Sequence, residues 1–590
     1  MNSILQAQSS FMSRPSQQPG IPFLSILPAS EYRSCLHRCC RRRLRALTAL
    51  HAVIMFLGVF SCTVELRAQR VEFTASSLPI VVINTDGVEI PDEPKVPAYM
   101  GIIRSSSGAN HIDSTFTDYD GLISIELRGN SSLTYDQKQY LFKTVSSSGQ
   151  DSNVVLMDFP AEHEWILFGP AVDKSLMRNV LMFRIARELG WYASRTQFCE
   201  LVLNGDYRGV YVLMENVKRD KSRVNISKIA GDITSGEPLT GGYILAIDHN
   251  GKQNDKGFAA AEDSLGTFVY WYIYPSPKNI NVQQEWYIQG YVKSFEALMR
   301  HPAFNDPLRG YAAFLNLDSF IDYILLNEWS NNVDSYVASA YLHKDRQSAG
   351  GKLTAGPVWD FNIAFGNANY AGGERSSGWR IHYERVPFWW RRLLQDTAFV
   401  SRLEKRWTEL RASSLHEERV GHIIDSVATL LDEAQVRHFL RWDLLGTYIW
   451  PNAYVGESYL DEVDYLKNWI RDRLHWMDRN LPSIALPLDK GMTTAADFSV
   501  TDDAPSITVY PTPSAGSVTV RYETAATAGV EVVVRDLLGR VVQRVTQGAV
   551  TGGTAHALQM HLQDQPTGLY QIILMHNGAP STSTLMHILR

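Results

Sequence analysis

Residues 357–367 read Pro357-Val358-Trp359-Asp360-Phe361-Asn362-Ile363-Ala364-Phe365-Gly366-Asn367, and Asp360 follows by 26 residues the aspartate of a second polar stretch, Asn331-Asn332-Val333-Asp334-Ser335. The second stretch comes after an apolar helical run, Phe320 to Leu326, and before a strand-like Tyr341-Leu342-His343-Lys344. Helix, polar turn, strand and polar turn in succession point to a mixed α and β domain. Two acidic side chains at the ends of neighbouring strands can divide the work of group transfer. One accepts the proton of an incoming hydroxyl and the other holds Mg²⁺ against phosphate oxygens. By spacing alone, Asp334 and Asp360 are as readily turn caps.

Toward the N-terminus the chain is richer in strands. Leu78 to Asn84, Leu122 to Leu127, Phe198 to Leu203 and Gly209 to Met214 each read as strands, the last two joined by the turn Asn204-Gly205-Asp206. Leu127-Arg128-Gly129-Asn130-Ser131-Ser132 runs from a strand into small residues whose backbone N–H groups could approach phosphate, although such residues also make ordinary turns. In Gln137-Lys138-Gln139-Tyr140-Leu141-Phe142-Lys143, alternation sets Lys143 on the face of Leu141 and Gln139, with Lys138 on the other. Either lysine could hold an anionic phosphate or simply guard a sheet edge. Met177, Leu181, Ile185 and Leu189 predict a helix behind a cap at Asp173 and ahead of a stop at Gly190. The second half is mostly helical, with a helix over Ser458 to Asn480 opened by a capping box of Ser458 and Asp461. The tryptophan-rich run Trp379, Trp389, Trp390 reads as a buried helix start, with sugar stacking as the other possibility.

The ends of the chain read as addresses. Arg38, Arg41, Arg42, Arg43 and Arg45 precede a largely apolar stretch from Ala46 to Val64 and then Leu66-Arg67-Ala68-Gln69, the layout of a secretory signal cleaved near Ala68; an uncleaved anchor is the alternative. After a polar linker, short alternating runs such as Ser517 to Tyr522 and Val530 to Val534 predict a small antiparallel sandwich. The expected division is an N-terminal extension and signal at 1–69, a main domain at 70–490, a linker at 491–505 and the sandwich at 506–590.

Composition narrows the function further. A chain of 590 residues that is 45% hydrophobic can bury more than one core. With 56 basic against 62 acidic residues there is no broad positive field, which makes nucleic acid a poor first guess for the partner. Four of the five cysteines (Cys35, Cys39, Cys40, Cys62) lie in the first 62 residues, so the lone Cys199 beyond them supports no disulfide framework and reads as a buried small side chain. HExxH, GxSxG, Walker A and GxGxxG motifs are all missing.

Two resemblances add to this reading. Arg128-Gly129-Asn130-Ser131-Ser132, Asp173 to Asn179, Asn204-Gly205-Asp206-Tyr207-Arg208-Gly209-Val210-Tyr211, Gly241-Gly242-Tyr243-Ile244-Leu245, Asn332-Val333-Asp334-Ser335 and Pro357-Val358-Trp359-Asp360-Phe361 occur in the order found in the spore coat protein H (CotH) kinase-like family. Val509-Tyr510-Pro511-Thr512-Pro513, Asp536-Leu537-Leu538-Gly539-Arg540 and Gly568-Leu569-Tyr570 resemble the C-terminal sorting domain of the type IX secretion system. The resemblance implies an α+β, atypical protein-kinase-like central domain followed by a small immunoglobulin-like sandwich. It implies an exported enzyme, secreted or at the cell surface, that moves the ATP γ-phosphate to hydroxyls of an envelope or secreted protein with Mg²⁺ or Mn²⁺. Its partners would be that substrate and the secretion machinery, with no integral membrane domain after signal cleavage.

On that analogy Asp334 is the catalytic aspartate and Asp360 the metal-binding one, joined by Asn362 and Ser339. Lys143 or Lys138, with Arg128, Asn130 and Ser131, would hold the nucleotide. Ser339 stands where kinases place a metal-binding Asn, Asn362 stands where other members have Asp, and the strand around Lys138 lacks two basic residues of the family pattern. These departures imply a diminished phosphate site and keep open a non-catalytic, pseudokinase-type surface scaffold.

Overall fold

The computed structural model describes residues 71–488 and 506–588, apart from short stretches at 106–107, 249–254, 261–267, 308–309, 511–513, 515, 525–526, 537–539 and 567. The expected signal segment and the linker at 491–505 lie outside the described residues.

Seven strands close a barrel: β1 (Ile80–Asn84), β2 (Val96–Ile103), β3 (Tyr119–Arg128), β4 (Gln139–Val145), β5 (Glu164–Phe168), β6 (Thr196–Leu203) and β7 (Asp206–Glu215), in the order β1-β2-β3-β4-β5-β7-β6. The parallel pairing of Ile80 with Glu200 on β6 completes the ring. The β6–β7 hairpin turns through Asn204 (φ 50°) and Gly205 (φ 74°), left-handed positions that Asn and Gly tolerate best. Alternation sends Phe142, Trp165, Leu167, Cys199, Leu201, Tyr211 and Leu213 into the barrel core. The intervening Ile166, Phe168, Phe198, Val210, Val212 and Met214 face outward into a second, larger core shared with the helices. Both faces of these strands are buried, so they read as continuous apolar runs.

That second core is built on α1 (Arg178–Glu188) and a five-stranded antiparallel sheet of order β9-β10-β8-β11-β12. Its strands are β8 (Tyr243–Asp248), β9 (Gly257–Ala259), β10 (Val269–Tyr274), β11 (Ala340–Lys344) and β12 (Leu353–Ala355). Around it pack α2 (Val282–Arg300), α3 (Leu317–Ser330), α4 (Phe388–Leu393), α5 (Thr397–Arg411), α6 (Glu417–Arg441) and α7 (Tyr459–Asn480). The Ser458–Asp461 capping box opens α7 as its sequence predicts. Trp389 and Trp390 on α4 are fully buried, which makes them core and not a sugar platform. The expected cap at Asp173 is displaced: Met177 occupies the N-cap position, and the Asp173 carboxylate reaches over four residues to accept the Arg178 N–H at 2.8 Å.

Helix α6 docks on the β6–β7 hairpin. Arg441 donates to the Tyr207 carbonyl at 2.7 Å and to Asp206 at 2.9 Å, and the Trp442 indole donates to the Arg208 carbonyl at 2.8 Å. Gly209, at φ 89°, has no room for a side chain, because a Cβ there would sit 2.8 Å from His438 Nδ1. The Asn204-to-Tyr211 motif is thus a packing surface.

At the C-terminus, β13 (Ser506–Tyr510), β14 (Ser517–Glu523), β15 (Ala528–Asp536), β16 (Val541–Val550), β17 (Ala555–His561), β18 (Gly568–His576) and β19 (Ala579–Ile588) form two antiparallel sheets, β13-β14-β17 and β16-β15-β18-β19. Val518, Val520, Tyr522, Val530, Val532, Val534, Ile572 and Leu574 fill the core between them.

Candidate active site

The site grows from the end of α3. Asn331 caps that helix in the left-handed conformation (φ 43°), and its side chain donates to the Gly372 and Arg375 carbonyls at 2.9 Å each while accepting from Arg380 at 3.0 Å. Glu328, one turn earlier and fully buried, accepts the Arg380 and Ile381 N–H groups at 2.8 and 2.7 Å and the Tyr336 hydroxyl at 3.0 Å. The buried guanidinium of Arg473 on α7 closes this network by donating to the Glu328 carbonyl at 2.8 Å. A buried charge with so many partners fixes the geometry of the segment that follows it.

In that segment Asn332 performs two tasks. Its side-chain oxygen accepts the Asp334 N–H at 3.2 Å, which makes a tight Asx turn, and its amide donates to the Asp360 carbonyl at 3.3 Å. Asp360 sits at φ 60°, unusual for a side chain larger than glycine. Its neighbours hold it there. Asn179 accepts the Phe361 N–H at 2.6 Å, Arg178 donates to the Ala364 carbonyl at 3.1 Å, and Trp359 stacks on Phe183 of α1 with ring centroids 5.8 Å apart. Arg178 is itself clamped 2.5 Å from Asp173 with both side chains buried. The Asp173-to-Asn179 motif is therefore the brace of the Asp360 loop.

A third acidic residue, Asp248, joins them from the end of β8, where one of its carboxylate oxygens accepts the Ser339 N–H at 3.4 Å. Burial, with Asp248 as the next cause, pushes the Asp334 carboxyl up to about 6 against the opposing pull of Arg380 and a hydrogen bond from Tyr370. Burial, with Asp334 and then Asp248 adding to it, pushes Asp360 up to about 6 against Arg128. Arg128, at the end of β3, lies over the Trp359 ring with its guanidinium carbon 5.2 Å from the centroid. Burial lowers its pKa, and Tyr341, Asp360 and Glu164 favour its charged form.

The other expected site residues are dispersed. Lys143 is on the Gln139 and Leu141 face of β4, as alternation requires, but it pairs with Asp151 at 2.9 Å beside His163. Lys138 precedes β4 and donates to the Leu133 carbonyl at 2.7 Å. Asn130 and Ser131 are exposed in the turn after Arg128, where Gly129 at φ 127° leads into a short 3-10 turn. The Asn362 carbonyl accepts from Asn367 at 2.8 Å, and Ser339 meets Asp248 through its backbone.

Residues 125–477, more than half of the chain and including every group just described, match the family model for the CotH kinase protein. The chain belongs to the CotH kinase protein family. Residues 508–587 match the model for the secretion system C-terminal sorting domain. A comparison with curated proteins finds no match. The sorting domain directs this CotH-family chain to secretion or the cell surface and implies contact with the secretion machinery. No helix among the described residues is long and apolar enough to cross a membrane. Membership implies nucleotide and divalent-metal use in general.

The donor set suits such a metal. Asp360 and Asp334 offer hard carboxylate oxygens near enough for the Asp334 charge to act on Asp360, but no group of three or more His, Cys, Asp or Glu among the described residues closes into a cage. Mg²⁺ takes this kind of sparse protein site, since phosphate oxygens and water supply its other ligands. Asp248 and Asn179 were missed in the sequence. Asp248 ends the strand that begins with the quoted Gly241-Gly242-Tyr243-Ile244-Leu245, and a strand-end acid of that kind is the signal that could have found it.

Proposed function

We propose that the chain is an exported atypical protein kinase that transfers the γ-phosphate of ATP to hydroxyls of an envelope or secreted protein. The observation that carries this reading is the proximity of Asp334, Asp360 and Asp248, whose charges act on one another's site, with Arg128 beside Asp360. Burial and neighbouring acids raise the pKa of Asp334 and of Asp360, and buried acids perturbed in this way mark working sites. On this reading the architecture is kinase-like, with the barrel as the nucleotide-binding half and the helical half as the catalytic one, and the C-terminal sandwich is immunoglobulin-like.

Asp334 accepts the proton of the acceptor hydroxyl as the new O–P bond forms and the bond to the ADP oxygen breaks. Asp360, with Asn362 beside it and Asp248 behind, would hold the Mg²⁺ or Mn²⁺ ion, which when bound neutralises phosphate charge. Arg128 takes the phosphate-binding part in preference to Lys143 or Lys138, because it faces Asp360 while the two lysines are engaged elsewhere. Asn130 and Ser131 offer the turn beneath the phosphates. Phosphate transfer from labelled ATP to secreted proteins tests the reading, with Asp334→Asn and Asp360→Asn expected to lower it at least a hundredfold.

A second reading, a non-catalytic scaffold, is favoured by one feature. Ser339 approaches Asp248 through its N–H, and a serine hydroxyl replaces the amide carbonyl that kinases use there. A fold indifferent to ATP and metal would support that alternative.

A further inference from the structure

Behind the segment that leads to Asp360 lies a cavity of about 80 Å³ that phosphate transfer leaves unused. The end of α1 and the turn after it give its wall Ala186 and Trp191. Helix α3 gives Tyr323 and Leu326, and the chain running from β12 toward Asp360 gives Pro357 and Val358. At about 10–15 Å³ for each water-sized occupant, the space is roughly that of five to eight waters. Asn225 is the exposed member of the lining, so solvent reaches the cavity from its side.

Several polar atoms of the wall are already paired. The Ser319 hydroxyl donates to the Asn316 carbonyl at 2.7 Å and accepts the Ala355 N–H at 3.0 Å, and the Trp191 indole donates to Asp322 at 2.7 Å. Others are not. The Tyr192 hydroxyl, on the same lining, is buried without a hydrogen-bond partner. His343 lines the cavity from the face of β11 that also carries Tyr341, whose ring meets Trp359 edge-on. Its Nδ1 lies 3.1 Å from the Gly356 carbonyl, and a carbonyl oxygen only accepts, so Nδ1 carries the proton. Burial lowers the His343 pKa and keeps the ring neutral, which leaves Nε2 as a lone-pair acceptor.

These walls select an occupant. Among the described residues that line the cavity there is no Lys, Arg, Asp or Glu, so a charged ligand would lose its hydration without a countercharge. The volume admits one ring and not a sugar with its many hydroxyls. An aromatic ring matches the flat faces of Trp191 and Tyr323. A single hydroxyl on that ring donates, as His343 Nε2 requires, and accepts, as the unpaired Tyr192 O–H requires, and it stays uncharged at neutral pH.

We propose that this cavity is a binding site for a small uncharged aromatic alcohol of the phenol class, held by a hydrogen bond to His343 Nε2 against the back of the segment that leads to Asp360. Its occupancy needs neither nucleotide nor metal, so it stands or falls apart from the phosphotransfer reading.

The test uses the full chain without nucleotide or metal and four probes: phenol, toluene, cyclohexanol and benzoate. Calorimetry and the melting temperature read binding. Phenol is expected to bind and to raise the melting temperature, with toluene, which has the shape but no donor, roughly fivefold to tenfold weaker. Cyclohexanol should bind less well than phenol, and benzoate should not bind. His343→Leu should bring phenol down to the affinity of toluene. Ala186→Leu, which fills the space from α1, should abolish binding of both and serves as the second variant if His343→Leu melts early. Equal affinity for phenol and toluene overturns the site, as does tighter binding of cyclohexanol or benzoate. Failure of phenol to bind at millimolar concentration also overturns it, and so does phenol binding that survives Ala186→Leu.

Discussion

The side-chain amide of Asn332 donates to the backbone carbonyl of Asp360 at 3.3 Å, so the two acidic motifs are one structural unit although 28 residues separate these partners. The same side chain also holds the Asp334 N–H. Asn332→Ala, or Asn332→Asp with its lost donor, is expected to lower phosphate transfer at least tenfold and stability by about 1–2 kcal/mol. Steady-state kinetics beside urea unfolding check both.

Asn179 supports the Asp360 loop from the other side, and Asn179→Ala would leave the Phe361 N–H buried without its 2.6 Å acceptor. The expected cost is about 1–3 kcal/mol. Because the loop carries Asp360, the apparent affinity for Mn²⁺ should weaken along with stability, which metal titration by calorimetry reads directly.

The carboxyls of Asp334 and Asp360 are held near 6, above the ordinary aspartate value. A raised folded pKa means that the folded state binds more protons between about pH 4 and 6, so these groups favour folding at the acid end of that window and cost stability as pH rises through it. In EDTA, Asp334→Asn and Asp360→Asn should each melt a few degrees above the native chain at pH 8, and the difference should vanish near pH 4. Thermal unfolding at the two pH values decides it.

His438 has the opposite sign. Burial holds its pKa down to about 3, and its Nδ1 accepts the Val210 N–H at 3.1 Å where α6 meets β7. The unfolded chain takes up a proton near pH 6.5 that the folded one refuses, so stability falls as pH drops from 6.5 toward 3, by up to about 1.4 kcal/mol per pH unit. Replacing this histidine with Gln should flatten that part of the acid limb in denaturant titrations.

Much of the scaffold is legible in the sequence because its signals are local. The Ser458–Asp461 box, the Asn204-Gly205 turn and the strand alternation that sets Lys143 beside Leu141 each depend on residues within a few positions of one another. The site is less legible because its contacts are distant. Asn179 and Phe361 stand 182 residues apart, and Asp248 reaches Ser339 across 91. Alternation gives the face of Lys143 correctly but cannot say that Asp151 shares that face. Residues 209–214 read as a plain apolar strand, since both faces of β7 are buried, and Gly209 shows its purpose only when α6 is laid against it.

Arg128 and Lys143 separate cleanly. Arg128→Ala should raise the KM for ATP at least tenfold, and Arg128→Lys should recover part of that loss, because a lysine keeps the charge without the guanidinium fork. Lys143→Ala should leave nucleotide affinity unchanged and remove only a surface ion pair worth about 0–1 kcal/mol. ATP titrations on the three variants check the assignment.

The most direct measurement is the melting temperature of the full chain with millimolar ATP, with and without Mg²⁺ or Mn²⁺, beside the Asp360→Ala variant. A ligand that binds the folded state raises its apparent melting point by mass action. The phosphotransfer account predicts a rise that needs the metal and disappears in Asp360→Ala. A well-folded chain whose melting point ignores ATP and metal would contradict that account and leave an exported scaffold in its place.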